Sequence, residues 1–192
     1  NIGIGFLFAP KFHSSMKCVM PTRSQLKIRT VFNILGPLSS PASAAYQVIG
    51  VSSEKLLDLM AEAIGRLGVE HAFIVHGSEG IDEISISHPT TLVEVKGSAT
   101  HRFTIQPKDF GIESSSMDAI KGGDANVNAR IIEEVLMGVR NSRRDIVVLN
   151  AAAAITAAGL SSDLKSGAQL AASSLDSGKA LEKLQELRAL SS

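Results

Sequence analysis

The sequence predicts an α/β fold, a sheet flanked by helices. Three observations carry that expectation. An apolar strand, an amphipathic helix and a second apolar strand succeed one another between Tyr46 and His76. Short segments of alternating polarity follow, between Glu83 and Ile105. From Ala125 onward the apolar residues recur at helical spacing.

The chain opens on Asn1 and an apolar stretch, Ile2 to Phe8. No basic segment precedes this stretch and no small-residue cleavage site follows, so it does not read as a signal peptide. It reads as the entry to a chain cut in mid-fold. Lys11 to Lys27 reads as helical, with Phe12, Met16, Val19 and Met20 on one face and Pro21 as a kink or a break. Thr30 to Leu35 is apolar and stops at Gly36-Pro37, and Ser39 to Ser43 is the linker candidate. Tyr46 to Val51 reads as a buried strand. Ser52-Ser53-Glu54 caps a helix running to Leu67, with Leu56, Leu57, Met60, Ile64 and Leu67 on one face and Gly68 as its stop. His71 to His76 is the next strand. A βαβ unit of this kind makes the two strands a parallel pair.

Strands are then expected at Glu83–Ser87, Thr91–Lys96 and His101–Ile105, the last two joined by a Gly97-Ser98 turn. Helices are expected at Ala125–Met137, Arg143–Ala158, Ser162–Ser174 and Ser177–Leu190. Asp124 and Ser177 serve as caps and Gly159 as a stop.

Composition bounds the function. The 192 residues suffice for one sizeable domain, or one plus a small lobe. Lys plus Arg equals Asp plus Glu at 19 each, so no global field draws the chain to nucleic acid or anionic membrane. The longest later apolar run, Ile146 to Leu160, is interrupted by Asn150 and Thr156 and is too short to span a bilayer. The single cysteine, Cys18, excludes an internal disulfide.

Few residues are placed to do chemistry. Asp82-Glu83 follows a strand end and a glycine-bearing loop, where α/β sheets open their ligand crevice. Two carboxylates there suit Mg²⁺, which prefers oxygen ligands and keeps several waters; adjacent acids in a loop are also common as plain solvated surface. His13 and Arg23 would lie roughly 80° apart on an unbroken helix, on neighbouring edges of one cleft, and arginine offers a planar fork for a carboxylate. Gly36 permits close approach of a planar ligand, or simply makes a turn. Lys121-Gly122-Gly123-Asp124 reads as a cap with a flexible lead-in, and Asn150 to Ala154 as a helix face small enough for close packing. His71, His76, His88 and His101 lack metal-ligand spacing.

Taken in order, several segments resemble anthranilate phosphoribosyltransferase. They are Gly5-Phe6-Leu7-Phe8-Ala9-Pro10 with Phe12-His13 and Met16-Lys17, then Arg29-Thr30-Val31-Phe32-Asn33-Ile34-Leu35-Gly36-Pro37-Leu38. Val75-His76-Gly77 follows with Asp82-Glu83-Ile84-Ser85, then Gly122-Gly123-Asp124, and Leu149 to Ala154 with Ser177 to Ala180. The resemblance covers nearly the whole chain and implies the phosphoribosyltransferase/nucleoside phosphorylase type II fold. It implies an incomplete helical lobe at residues 1–38 and an α/β glycosyltransferase domain at 39–192. It implies transfer of the phosphoribosyl group of phosphoribosyl pyrophosphate (PRPP) to anthranilate, in tryptophan biosynthesis. Mg²⁺ would be held by Asp82 and Glu83, and anthranilate by His13, Arg23 and Gly36. A homodimer is implied for the complete protein, cytoplasmic in a bacterium and plastidic in a plant or alga.

The family's Gly-Thr-Gly-Gly-Asp and Lys-His-Gly-Asn segments have no counterpart in these residues, so the chain alone is expected to be inactive. Ser14 and Ser40 stand where the family usually has proline and asparagine. Two other readings share the architecture: a pyrimidine nucleoside phosphorylase, and a non-catalytic nucleic-acid-binding homologue, for which the balanced charge gives no support.

Overall fold

The computed structural model describes residues 2–12, 25 and 34–191. Two compact units are present, one of Ala44–Glu182 and a smaller one that takes in Asn1–Ser43 and Lys183–Ser192.

The larger unit is built on a four-stranded mixed sheet, β1 (Tyr46–Gly50), β2 (His71–Gly77), β3 (Thr90–Lys96) and β4 (Ala99–Ile105), in that spatial order. β1 and β2 are parallel, with Gly50 beside Val75; β2–β3 and β3–β4 are antiparallel. The parallel pair is joined by a single 3-10 turn at Glu54–Leu56 and helix α1 (Leu57–Arg66), the expected βαβ unit. Its helix buries Leu57, Met60, Ala61 and Ile64 against β2 and β3. Leu67 departs from the expected face: it lies past the last helical turn, where Gly68 at φ +79° breaks the periodicity, and is left exposed.

Every residue of β2 is buried, because helices cover both sides of the sheet. On the side opposite α1, Phe73, Val75, Leu92 and Ile105 meet Ile146, Leu149, Ala153 and Ala157 of helix α3. The Gly97-Ser98 hairpin is as expected, with Gly97 at φ +55° in the first loop position, where a primed turn needs it. β4 forms an edge, blunted by charge: the Arg102 guanidinium donates to Asp58 at 2.7 Å and to Glu54 at 2.6 Å.

The second half is helical: α2 (Ala125–Leu136), α3 (Ser142–Ala157), α4 (Leu164–Asp176) and α5 (Lys179–Ser191). Asp124 caps α2 as expected, accepting from the Val127 N–H, and Asn141 and Asp163 cap α3 and α4. Ser177 instead ends α4; Gly178 at φ +78° turns the chain and α5 starts one residue later. α3 and α4 approach closely through Ala152, Ala168 and Ala171.

The expected strand at Glu83–Ser87 is not a strand. Ile84 and Ile86 do alternate inward, 2% and 0% exposed, but the backbone there is bonded to side chains and to the Ser115 N–H of a loop rather than to a neighbouring strand. In the smaller unit, besides the part of α5 from Lys183 onward, helical turns are described at Ala9–Phe12 and Leu35–Leu38. Most of the helix expected at Lys11 to Lys27 lies outside the described residues.

Candidate active site

Asp82 and Glu83 sit in the loop between β2 and β3, beyond the carboxyl ends of the parallel pair. The loop is short of regular structure but dense in hydrogen bonds. The Gly77 N–H donates to the Ile81 carbonyl at 2.9 Å, and the Gly80 N–H to the Gly77 carbonyl at 2.8 Å. The Ser85 N–H donates to Thr90 Oγ1 at 2.9 Å, while Ser85 Oγ donates to the Glu79 carboxylate and accepts from Ser87 N–H at 2.9 Å. Glu79 is thus engaged inside the loop, whereas Asp82 and Glu83 are exposed. His76 is buried beneath, its Nδ1 2.8 Å from the Val51 carbonyl oxygen.

Two contacts that the sequence did not advertise flank the acid pair. Gly50, the last residue of β1, has the Asp82 backbone directly against it, so close that a Cβ there would lie 1.7 Å from the Asp82 carbonyl oxygen. Asn150 on α3 accepts from the Ile84 N–H at 2.9 Å and donates to the Ile84 carbonyl at 3.0 Å. The one available signal was an amide interrupting an alanine-rich helix.

Electrostatically the pair suits a cation. Loss of water around Glu83 raises its carboxyl above the usual range, and the neighbouring Asp82 charge raises it further. A divalent ion relieves that repulsion. Among the described residues no third His, Cys, Asp or Glu joins them in a metal-binding cluster. Two carboxylates fit Mg²⁺ nonetheless, because that ion takes one or two protein carboxylates and completes its shell with waters and substrate phosphates.

Gly36 lies in the Leu35–Leu38 turn, exposed, with nothing within 4 Å of the place a Cβ would occupy. His13 and Arg23 lie outside the described residues. Lys121 to Asp124 is committed to structure: the Gly123 N–H donates to Asn128 Oδ1 at 2.8 Å, which leaves Asp124 to cap α2.

Residues 1–181 match the family model described as "Glycosyl transferase family, a/b domain". The chain belongs to this glycosyl transferase family. It is 47% identical to the anthranilate phosphoribosyltransferase of Chloroflexus aggregans over 193 aligned positions, covering 100% of this chain and 57% of that protein. The crystal structure of anthranilate phosphoribosyltransferase from Thermus thermophilus superimposes with a TM-score of 0.90 at 40% identity, over 96% of this chain and 55% of that one. The Saccharomyces cerevisiae enzyme in complex with PRPP and Mg gives 0.86 at 35% identity, over 94% and 52%. The chain therefore spans about half the length of the curated relatives it matches, and its fold is that of anthranilate phosphoribosyltransferase, as the sequence predicted.

Proposed function

We propose that the full-length protein carrying this chain is a transferase that moves the phosphoribosyl group of PRPP onto the amine of anthranilate. The observation that carries this reading is the Asp82–Glu83 pair, fixed by its backbone at the carboxyl edge of a parallel β-pair in a glycosyl transferase domain. The kinship with anthranilate phosphoribosyltransferases supplies the substrates.

Within that reading Asp82 and Glu83 hold Mg²⁺ on the pyrophosphate, and His13, Arg23 and Gly36 border the anthranilate pocket. Residues 1–38 belong to the helical lobe and 39–192 to the glycosyltransferase domain. Anthranilate's aryl amine is uncharged near neutral pH, so no strong base is needed to make it a nucleophile. The harder step is expulsion of pyrophosphate, and bound Mg²⁺ would offset the charge that builds on it. The chain's own part is to orient: the acids set where the diphosphate lies, and the arginine fork holds the anthranilate carboxylate so that the amine faces the anomeric carbon.

The test is a magnesium-dependent assay of the full-length protein with anthranilate and PRPP, following loss of anthranilate. Consumption that stops on chelation of the metal supports the reading. Phosphorolysis of pyrimidine nucleosides with no use of anthranilate would transfer the chain to the phosphorylase alternative.

A further inference from the structure

Asn150 stands where propensity argues against it. Asparagine is a poor residue for a helix interior, and its neighbours on α3 are alanines, Ala151 to Ala154. Its side chain is nevertheless fully employed. Oδ1 accepts from the Ile84 N–H at 2.9 Å. Nδ2 donates to the Ile84 carbonyl at 3.0 Å and, with its second hydrogen, to the Ile146 carbonyl at 2.9 Å, one turn back on α3. The amide thus bonds to Ile84 as a neighbouring strand would, both ways to one residue. A carboxylate lacks the donors and an aliphatic side chain lacks both functions. Either replacement would leave polar backbone of Ile84 unpaired beside a buried side chain, which is costly.

Ile84 follows Glu83 directly. Its N–H belongs to the Glu83–Ile84 peptide and its carbonyl to the next one, so the bridge sets the orientation of the backbone that carries Glu83. On the preceding side, the Asp82 carbonyl lies directly against Gly50. The main chain around the acid pair is therefore braced on both sides, by close packing against β1 at Asp82 and by hydrogen bonds from α3 at Ile84, and both acids are exposed residues.

We propose that Asn150 is a positioning residue for Asp82 and Glu83, directing the two carboxylates toward the metal–diphosphate group of the substrate. This rests on the reading of those acids as metal ligands. Groups that orient a ligand set from behind affect metal affinity by about 10- to 100-fold when removed.

The experiment measures Mn²⁺ binding to the full-length protein by electron paramagnetic resonance in the presence of PRPP, together with steady-state kinetics and backbone amide exchange over residues 82–86. Asn150→Ala is expected to raise the Mn²⁺ half-saturation about 10-fold, to speed exchange at Ile84, and to leave the KM for anthranilate unchanged. Asn150→Leu, uncharged and close in shape, carries the same expectation should the alanine variant fail to fold. Thr156→Val is the stability control. It removes a buried hydroxyl on the same helix that donates to the Ala152 carbonyl at 2.8 Å and whose other partners are Ser161 and Asp163, not Ile84, and it should lower the melting temperature without moving Mn²⁺ binding. Wild-type Mn²⁺ binding in the Asn150 variants overturns the proposal, as does an equal shift in Thr156→Val. Asp82→Asn separates the layers. If it binds Mn²⁺ as wild type does, the metal-ligand reading has failed and the positioning role falls with it. If Asp82→Asn weakens binding and Asn150→Ala does not, the positioning role alone is wrong.

Discussion

The carbonyl oxygen of Asp82 lies where the side chain of any residue but glycine at position 50 would begin, 1.7 Å from the place of an ideal β-carbon, with the Asp82 carbonyl carbon at 2.6 Å. Both obstacles are backbone, so neither can swing aside as a flexible side chain would. Gly50→Ala must displace the end of β1 or the loop holding the acids. The expected cost is about 1–3 kcal/mol of stability, read as a lower urea midpoint. Weaker cation binding should accompany it in the same preparation. A variant with the wild-type midpoint would show that the loop is free to move away.

If the full-length protein works as proposed, removing either carboxylate should separate metal-dependent chemistry from aromatic binding. Asp82→Asn and Glu83→Gln are each expected to lower kcat/KM for PRPP on the order of 10²-fold, with the KM for anthranilate close to wild type. Both residues are exposed, so neither change should lower the melting temperature much. Kinetics unaffected in both variants would remove the acids from the site.

Arg23→Ala addresses the other substrate. On the proposed reading Arg23 holds the anthranilate carboxylate, and its loss should then raise the KM for anthranilate roughly 10- to 100-fold, with saturation by PRPP retained. The opposite pattern, a defect in PRPP use alone, would place Arg23 elsewhere.

What could be read from the sequence and what could not divide along a physical line. α1 and β2 announce themselves because local periodicity and long-range packing agree: β2 is covered on both faces and its centre, Ala72 to Val75, is apolar. β1 forms where expected but at the sheet's edge, with Ile49 alone buried rather than the whole strand. The Ile84–Ile86 segment shows the limit. Its inward alternation was legible, yet alternation reports which side chains are buried and not what the backbone bonds to. Here the partners are Asn150 and the Ser115 N–H, both far along the chain, and Thr90 Oγ1. The Asp82–Glu83 pair could be singled out from the sequence as candidate chemistry, whereas the approach of Gly50 to Asp82 and the bonds of Asn150 to Ile84 are tertiary contacts with no local signature.

Glu94 gives a pH-dependent prediction away from the acid pair. Burial pushes its carboxyl up, but Lys96 at 2.8 Å and His71 at 2.9 Å together outweigh burial and hold it below the usual glutamate range. A carboxyl depressed on folding stabilises the protein above its ordinary pKa of about 4.3. That contribution is lost as pH falls through the lower folded value. Glu94→Gln should therefore cost about 1–2 kcal/mol near neutral pH, and the gap from wild type should close in strong acid. Urea titrations at both ends of that range decide it; a gap that persists unchanged in acid would mean that Glu94 contributes by packing rather than by charge.

Gly167 on α4 sets two opposing terms against each other. Alanine favours a helix interior over glycine by about 1 kcal/mol, which on propensity alone makes Gly167→Ala stabilising. The added carbon would sit 2.7 Å from the Ala152 carbonyl oxygen and 2.8 Å from Thr156 Oγ1, both on α3. The Ala152 carbonyl is fixed by its own helix and accepts the Thr156 hydroxyl, so the contact can be relieved only by moving α4 away from α3. Overpacking of this kind costs about 1–3 kcal/mol, more than the propensity gain across most of that range. The variant should therefore unfold at lower urea than wild type, and a higher midpoint would mean that the two helices are packed with slack.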